Sequence, residues 1–415
     1  MMEQEKVDVL VIGAGPAGTV AAATLKQQGM NVRIVEKQQF PRFVIGESLL
    51  PRSIDHFEEV GLLDALKKQG FQTKHGAKFL KGDRACDFDF SEKFTDGREW
   101  AWQVPRADFD KALADEVERK GVPIDYQWGV SDVCFEGSDS RTIVENEKGE
   151  KKEIHARKIV DASGYGRVLP RLLGLDQPSD FSPRTAMFTH LKEPERPEGE
   201  VEERIFLIAH TKDVWIWVIP FSNGITSVGF VGDPEFFERF EGSPEERFTA
   251  MIHQDENVRC RFSKPAFVFT PKQIHAYSVS VKKLYGEGFV LTGNSTEFLD
   301  PIFSSGITFA TETASVAGKL IGREMQGEKV DWEKEFKEHV LQGVDTFRTF
   351  VERWYDGTLQ NIFFAPHVEM NVKKRISSVL AGYVWDLENT YVKNPDRSLK
   401  TLERVIEIEG QHGEE

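Results

Sequence analysis

The sequence predicts an α/β fold that carries an α+β insert with an antiparallel sheet and ends in a helical C-terminal part. Three patterns support this fold class. An apolar strand at 7–12, a glycine turn, an alanine-rich helix that ends at Gly29 and a second strand at 31–36 have the order and length of a βαβ crossover. Short strands separated by polar and glycine turns follow one another from 184 to 231. From Asp331 onward the chain is mostly amphipathic helix.

The segments between these patterns alternate helix and strand. We predict helices at 53–70, 107–120 and 305–325, strands at 77–80, 86–90 and 99–104, a strand followed by a glycine turn within 287–295, and a further βαβ-like pass that ends at 157–164. The strands of the insert are 185–191, 204–210, 214–221 and 225–231. These assignments predict a discontinuous dinucleotide-binding domain (1–76, 103–180 and 281–330), an inserted substrate domain (77–102 and 181–280) and a helical region (331–415).

Composition and charge exclude several classes of function. The chain has 415 residues, 40% of them apolar, which is enough for a large core. The formal net charge of −15 disfavours nucleic acids and anionic membranes as partners, because both attract basic surfaces. No apolar run approaches the roughly 18–20 residues of a transmembrane helix, and the N-terminus lacks the basic start of a signal peptide. Cys86, Cys134 and Cys260 are scattered, so we expect no metal site, no disulfide framework and a cytoplasmic location.

The turn after the first strand has the spacing of a phosphate-binding loop. Gly13, Gly15 and Gly18 form G-x-G-x-x-G between a strand and a helix, where such a motif binds a pyrophosphate at the helix N-terminus. Glu36 closes the second strand, where its carboxylate can accept hydrogen bonds from the hydroxyls of a ribose. Because a carboxylate would repel a 2′-phosphate, the sequence predicts FAD or NAD and not NADP. A tight turn without a ligand is the alternative explanation of the glycines.

Four further stretches resemble a known family. They are FPRFVIGESLLP at 40–51, PRADFDKAL at 105–113, VDASGYGR at 160–167 and LTGNSTEFLDPIFSSGITFA at 291–310. Together with the glycine motif they resemble the FAD-dependent monooxygenase superfamily with the p-hydroxybenzoate hydroxylase-type fold, and within it the flavin-dependent halogenases. The resemblance extends from residue 5 to about 325 and implies a Rossmann-like FAD-binding domain, with FAD as the cofactor.

The resemblance also implies which residues hold FAD. The Arg106 position supports the flavin, Asp161 lies near the FAD phosphates, and the turn at 300–306 directs backbone amides at the flavin ring or at a halide. The family's Gly-Asp pair appears here as Gly293-Asn294, which keeps a hydrogen-bonding side chain but not its charge. The residues expected to bind the cofactor are Gly13, Gly15, Ala17, Gly18, Glu36, Lys37, Gly46, Glu47, Ser48, Arg106, Asp161, Gly164, Asn294, Pro301, Gly306 and Ile307.

Two polar residues are candidates for catalysis by the same resemblance. Halogenases place a lysine at the Lys74 position, at the far end of a tunnel from the flavin, where it is proposed to receive hypohalous acid. An amine in that role needs burial, because desolvation disfavours its charged form; a solvated surface lysine is the alternative. Ser305, with Gly306, occupies the position beside the halide, and a serine that only caps the helix is the alternative.

The stretch VWIWVIPFSNG at 214–224 contains the other candidates, Trp215 and Trp217. Period two places both tryptophans and Ile219 on one face of a strand and three aliphatic side chains on the other, as an ordinary buried strand would also do. The W-x-W-x-I-P form resembles the halogenase motif that lies between flavin and substrate, whereas prenyl-chain reductases carry a similar aromatic run. Phe303 stands where tryptophan halogenases carry a glutamate, which favours a phenolic, pyrrole-like or aliphatic carrier-bound substrate over an indole.

We therefore expect an FAD-dependent oxidoreductase. The leading hypothesis is a halogenase-like enzyme that uses reduced FAD and dioxygen to oxidise chloride or bromide, with Lys74 guiding hypohalous acid to an electron-rich substrate. The expected partners are a small-molecule or carrier-bound substrate and a separate flavin reductase. Two alternatives stay open: a flavin monooxygenase or dehydrogenase/reductase of the geranylgeranyl-reductase type, and a flavin-binding protein without catalysis.

Overall fold

A computed structural model describes residues 3–193, residue 196 and residues 203–412. Its strands are, in chain order, β1 (Glu3–Ile12), β2 (Val32–Glu36), β3 (Gln72–Lys74), β4 (Gly76–Lys81), β5 (Arg84–Asp89), β6 (Ala101–Gln103), β7 (Ile124–Tyr126), β8 (Trp128–Glu136), β9 (Asp139–Asn146), β10 (Lys151–Asp161), β11 (Asp176–Gln177), β12 (Thr185–Lys192), β13 (Arg204–Ala209), β14 (Trp215–Pro220), β15 (Ile225–Gly232), β16 (Lys272–His275), β17 (Ser280–Val281), β18 (Tyr285–Gly286) and β19 (Phe289–Leu291). Its α-helices are α1 (Pro16–Gln27), α2 (Pro51–Glu59), α3 (Leu63–Lys67), α4 (Arg106–Arg119), α5 (Val168–Leu172), α6 (Pro234–Glu238), α7 (Pro244–His253), α8 (Glu256–Arg259), α9 (Ser305–Met325), α10 (His339–Tyr355), α11 (Thr358–Phe363), α12 (Met370–Leu380), α13 (Thr390–Lys393) and α14 (Pro395–His412).

The first large sheet contains the glycine turn. Its strand order is β18-β19-β10-β1-β2-β7, and β1 lies parallel to both β10 and β2. The α1 crossover joins β1 to β2, as the sequence predicts. Strand β1 ends in a run of buried aliphatic residues, as expected for a parallel strand covered on both faces. This arrangement confirms the α/β, Rossmann-like fold class.

The second large sheet is the insert. Its order is β16-β12-β15-β14-β13-β4-β5, and its pairs are antiparallel except for the parallel pair of β13 and β4. The two faces of β14 separate as the period-two pattern predicts. Trp215, Trp217 and Ile219 belong to the main core, whereas Ile216 and Val218 pack in a second core beneath helices α6 to α8.

Two local predictions differ from the structure. The single helix expected at 53–70 is divided into α2 and α3, because Gly61 adopts a left-handed conformation (φ 68°) that ends the first helix. The pass that leads into β10 is an antiparallel meander through β8 and β9 and not a βαβ unit. Both differences come from turn geometry, which periodicity does not register.

The C-terminal part is helical, as predicted, and packs on α9. Phe303, just before α9, contacts the aromatic rings of Phe350 and Trp354 on α10 at centroid distances of 6.0 and 6.3 Å. Helix α9 also packs on α1, where a Cβ at Gly318 would lie 2.9 Å from the side chain of Thr24. Among the described residues we find no helix that is long and apolar enough to cross a membrane, and no cluster of side chains suited to a metal ion. The domain boundaries given above remain a prediction.

Candidate active site

A cavity of about 500 Å³ opens at the carboxyl ends of the parallel strands β1, β2, β10 and β19 and reaches the inner face of β14. Ligands of open α/β sheets bind at this edge. Most residues predicted to bind the cofactor line the cavity: Gly13, Gly15, Ala17, Glu36, Lys37, Gly46, Glu47, Ser48, Arg106, Gly164, Asn294, Pro301, Gly306 and Ile307. Trp215 and Trp217 line it as well. Gly18, Asp161, Lys74 and Ser305 do not belong to this lining.

Two of the glycines in the first turn serve different purposes. A Cβ at Gly18 would lie 1.9 Å from the carbonyl oxygen of Gly13, so Gly18 is required by the packing of the chain itself. A Cβ at Gly15 would meet only Arg42 Nη2, at 3.6 Å, so the backbone there borders open space. Helix α1 begins directly after Gly15 without a side-chain cap, which leaves its first amides free for an anion.

Glu36 lies at the end of β2, 7% exposed, and its carboxylate is oriented by two backbone amides. Oε2 accepts a hydrogen bond from Ala14 N and Oε1 accepts one from Gln38 N, both at 2.9 Å. A carboxylate oxygen has room for a second donor. The residues of this end of the cavity therefore fit the pyrophosphate and adenosine ribose of FAD.

Arg106 supports the loop at 40–48 and not only a ligand. Its Nη1 donates to the carbonyl oxygens of Ile45 and Gly46, at 3.2 and 3.1 Å. Asp110, which is fully buried, holds the guanidinium of Arg106 from below and also pairs with Arg42 at 2.8 Å. Arg42 is a cavity residue that the sequence analysis missed, although it lies inside the quoted FPRFVIGES stretch.

Asp161 is buried behind the residues that line the cavity and does not line it itself. Its carboxylate accepts hydrogen bonds from Ser163 N, Leu169 N and Ser295 Oγ, at 2.7 to 2.9 Å. Burial raises the pKa of Asp161, against the effect of these hydrogen bonds. Asp161 thus fixes the loop after β10 and the loop after β19, and the latter places Asn294 in the cavity lining.

The turn at 300–306 brings a second helix N-terminus to the cavity. Asp300 caps the turn by accepting from Ile302 N at 3.0 Å, and Ser304 adopts a left-handed conformation with φ 56°. Helix α9 begins at Ser305 without a side-chain cap. Ser304, Gly306 and Ile307 line the cavity, whereas the side chain of Ser305 is buried beside it.

Lys74 is buried next to the cavity and is not a solvated surface residue. Its side chain is 1% exposed, and Nζ donates to Ser48 Oγ at 2.8 Å and to the carbonyl oxygen of Leu49 at 3.0 Å. Burial lowers the pKa of Lys74 to about 7. Ser304 Oγ donates to the same Ser48 Oγ at 3.1 Å. Because Ser48 and Ser304 line the cavity, they connect the amine to it.

Trp215 and Trp217 form what we term the aromatic wall. Their ring centroids are 5.9 Å apart, and both indole N–H groups are occupied outside the cavity. Trp215 Nε1 donates to Tyr355 Oη at 2.9 Å, and Trp217 Nε1 donates to Ser227 Oγ at 3.0 Å. Tyr355 belongs to α10, and no local sequence signal connects it to β14. The wall therefore presents ring carbon to the cavity and keeps its polar atoms elsewhere.

Gly229 on β15 makes room for the wall. A Cβ at Gly229 would lie 2.2 Å from Trp217 Cζ2. Replacing Gly229 by alanine is expected to displace the indole and to lower the free energy of unfolding by about 1–3 kcal/mol, the usual cost of overpacking. Urea unfolding measures this loss. The matched control is Gly129→Ala on β8, where the nearest contacts would be at 3.7 Å and the expected change is within about 0.5 kcal/mol. Equal stability of the two variants would contradict the packing of Trp217 described above.

The chain as a whole is similar to known flavoproteins. A family model described as an FAD binding domain matches residues 6–331. The 1H-pyrrole-2-carbonyl-(peptidyl-carrier protein) chlorinase of Pseudomonas fluorescens is 28% identical over 98% of this chain and 94% of its own length. The solved structure of a flavoprotein/dehydrogenase from Cytophaga hutchinsonii is 58% identical, covers 99% of this chain and 100% of its own, and superposes with a TM-score of 0.96. The myxobacterial chondrochloren halogenase CndH is 27% identical, covers 97% of each chain and superposes with a TM-score of 0.78.

Proposed function

This chain belongs to the FAD-binding flavoproteins of the monooxygenase and halogenase superfamily, and we propose that it is a flavin-dependent halogenase. It is an FAD-dependent oxidoreductase of halogenase-like type. In the proposed reaction dioxygen takes two electrons from reduced FAD and two from chloride or bromide and ends as two molecules of water, and the oxidised halogen replaces a proton on an electron-rich organic substrate. FAD, when bound and reduced, supplies the two electrons that activate dioxygen.

The observation that carries this proposal is the aromatic wall. A monooxygenase must let its substrate reach the flavin, whereas a halogenase needs to pass only a small halogen species. Trp215 and Trp217 are 1% and 5% exposed, and their N–H groups bond to Tyr355 and Ser227 outside the cavity. A wall of this kind blocks an organic molecule without offering it a hydrogen bond.

The other residues have distinct proposed roles. The first amides of α1 bind the pyrophosphate, and Glu36 binds the adenosine ribose. The uncapped amides at the start of α9, beside Ser304 and Gly306, hold the halide anion. Lys74, with its pKa near 7, is available as a neutral amine that accepts the substrate proton or orients the hypohalous acid through Ser48.

The proposed partners follow from the same site. The substrate is an electron-rich small molecule or a group attached to a carrier protein, in line with the carrier-bound pyrrole named for the Pseudomonas chlorinase. A separate flavin reductase supplies reduced FAD in a reducing, cytoplasmic setting. Phe303, buried against Phe350 and Trp354 and not facing the cavity, leaves no carboxylate at this place to bind an indole N–H.

The proposal is tested by the mass of the product. The purified protein is supplied with FAD, a flavin reductase, NADH and bromide, and is offered a panel of phenols and pyrroles as acceptors. We expect a product with the two-line isotope pattern of bromine, which is absent when bromide or the protein is omitted. An oxygenated or desaturated product that forms equally well without halide would instead establish the monooxygenase or dehydrogenase alternative.

A further inference from the structure

Tyr355, the last residue of α10, connects the C-terminal helical region to both sides of the active site. Its hydroxyl oxygen lies 2.9 Å from Trp215 Nε1 and 2.9 Å from Asp300 Oδ2. Trp215 belongs to the aromatic wall, and Asp300 opens the turn at 300–306. One hydroxyl group therefore joins the wall to the turn.

The direction of each hydrogen bond in this network is fixed by chemistry. An indole N–H can only donate, so the oxygen of Tyr355 accepts from Trp215, and its single proton goes to Asp300. Tyr277, which lines the cavity, donates to the same Asp300 Oδ2 at 2.9 Å, while Oδ1 accepts from Ile302 N. Burial and the nearby Asp300 carboxylate raise the pKa of both phenols well above the usual value, so both remain donors.

The ring of Tyr355 has a contact of its own, apart from those of its hydroxyl. The guanidinium of Arg184 lies over the ring face, 3.5 Å from its centroid. Arg184 in turn donates to the carbonyl oxygen of Asp213, just before β14. Trp215 itself is 1% exposed, so its N–H has no access to water that could replace a lost partner.

We propose that Tyr355 is a positioning residue that keeps the N–H of Trp215 turned away from the cavity, so that the C-terminal helical region completes the active site. Without the hydroxyl, the buried indole N–H loses its acceptor. The Trp215 indole then rotates towards another hydrogen-bond acceptor, and the wall no longer presents a uniform apolar face to the cavity. This inference extends the proposed function, because it assigns the anchor of the wall on which that function depends.

The test compares Tyr355→Phe with Tyr383→Phe. Tyr383 is a matched control, since its hydroxyl also donates to a carboxylate (Asp55, 3.0 Å) and accepts from an N–H (Arg98 N, 2.7 Å), but away from the cavity. The first readout uses the protein without FAD. The chain has 8 tryptophans, and the indole ¹H–¹⁵N resonance of Trp215 is assigned from its loss in Trp215→Phe. In Tyr355→Phe we expect this resonance to move upfield and to exchange faster with solvent, and in Tyr383→Phe to stay in place.

The second readout uses the FAD-loaded enzyme. For Tyr355→Phe we expect unchanged FAD affinity, a KM for the organic acceptor raised at least threefold, and a larger share of the consumed dioxygen released as hydrogen peroxide. An unmoved Trp215 resonance, or identical behaviour of the two variants, would overturn the proposal. If the wild-type protein forms no halogenated product, the proposed function fails, but the resonance and the peroxide yield still decide the role of Tyr355.

Discussion

Replacing Lys74 by methionine is expected to lower the rate of product halogenation by at least about 100-fold, the usual scale for a proton-transferring group, while FAD still binds. Methionine fills a similar volume but can neither accept a proton nor donate to Ser48. The measurement is the initial rate of brominated product at saturating FAD, acceptor and bromide. In the wild-type enzyme this rate should rise as the pH increases through about 7, where the Lys74 amine becomes neutral. The variant should lose this dependence.

The same substitution is expected to stabilise the protein. In the unfolded chain Lys74 titrates near its ordinary pKa of 10.5, and in the folded protein burial lowers the pKa to about 7. The unfolded state therefore binds more protons between these values, and wild-type stability rises with pH across this range. The melting temperature of Lys74→Met should exceed that of the wild type by the largest margin below pH 7, and the margin should shrink towards pH 10.

The control for both measurements is Lys78→Met on the neighbouring strand β4, where the lysine is only half-buried. We expect this variant to keep the wild-type rate and to show no comparable gain in stability. Full activity of Lys74→Met would remove Lys74 from the mechanism. A Lys74→Met protein that is less stable than the wild type at pH 6 would contradict the burial cost assigned to the amine.

Replacing Gly15 by valine is expected to weaken FAD binding by at least about 100-fold, or about 3 kcal/mol, and to yield a folded, colourless protein. The reason is that a side chain at Gly15 would enter the open space over the start of α1, where we propose that the pyrophosphate binds, and would meet only Arg42 Nη2 within the protein. The measurement is flavin content after purification, followed by titration with FAD and circular dichroism.

Two further glycine variants serve as controls for Gly15→Val. Gly18→Val should fail to fold, since its side chain would collide with the carbonyl of Gly13. Gly410→Val should behave as the wild type, because a Cβ there would meet no heavy atom within 4 Å outside the adjacent backbone of its own helix. A yellow Gly15→Val protein that is saturated with FAD would refute the assignment of the glycine turn to the phosphates.

Much of the cavity could be predicted from the sequence because its residues come from short segments with local signals. The glycine turn and Glu36 follow from one βαβ unit. Period two on β14 predicts that Trp215 and Trp217 share one face of the strand, and the resemblance to the halogenase motif predicts that this face meets the cavity. These are interactions between near neighbours in the chain or within one strand, and they depend on backbone geometry that each residue type favours.

The missing parts depend on contacts between distant segments. Nothing near Tyr355 in the sequence indicates that its hydroxyl meets Trp215, 140 residues away. The resemblance makes a buried Lys74 one of two open alternatives, and the sequence cannot decide between them because the burial depends on contacts with the distant Ser48 and Leu49 and a lysine on a strand is usually solvated. At the turn 300–306 the left-handed conformation of Ser304 brings Ser304, and not the predicted Ser305, to the cavity. Such a conformation has no sequence signature outside glycine, asparagine and aspartate.

The halide site at the start of α9 is the part of the proposed function that bromide anomalous diffraction from crystals containing FAD tests most directly. We expect one ordered bromide at the start of α9, within hydrogen-bonding distance of the backbone amides beside Ser304 and Gly306, on the flavin side of the wall of Trp215 and Trp217. Crystals with fully occupied FAD and no bromide at this helix start would contradict it.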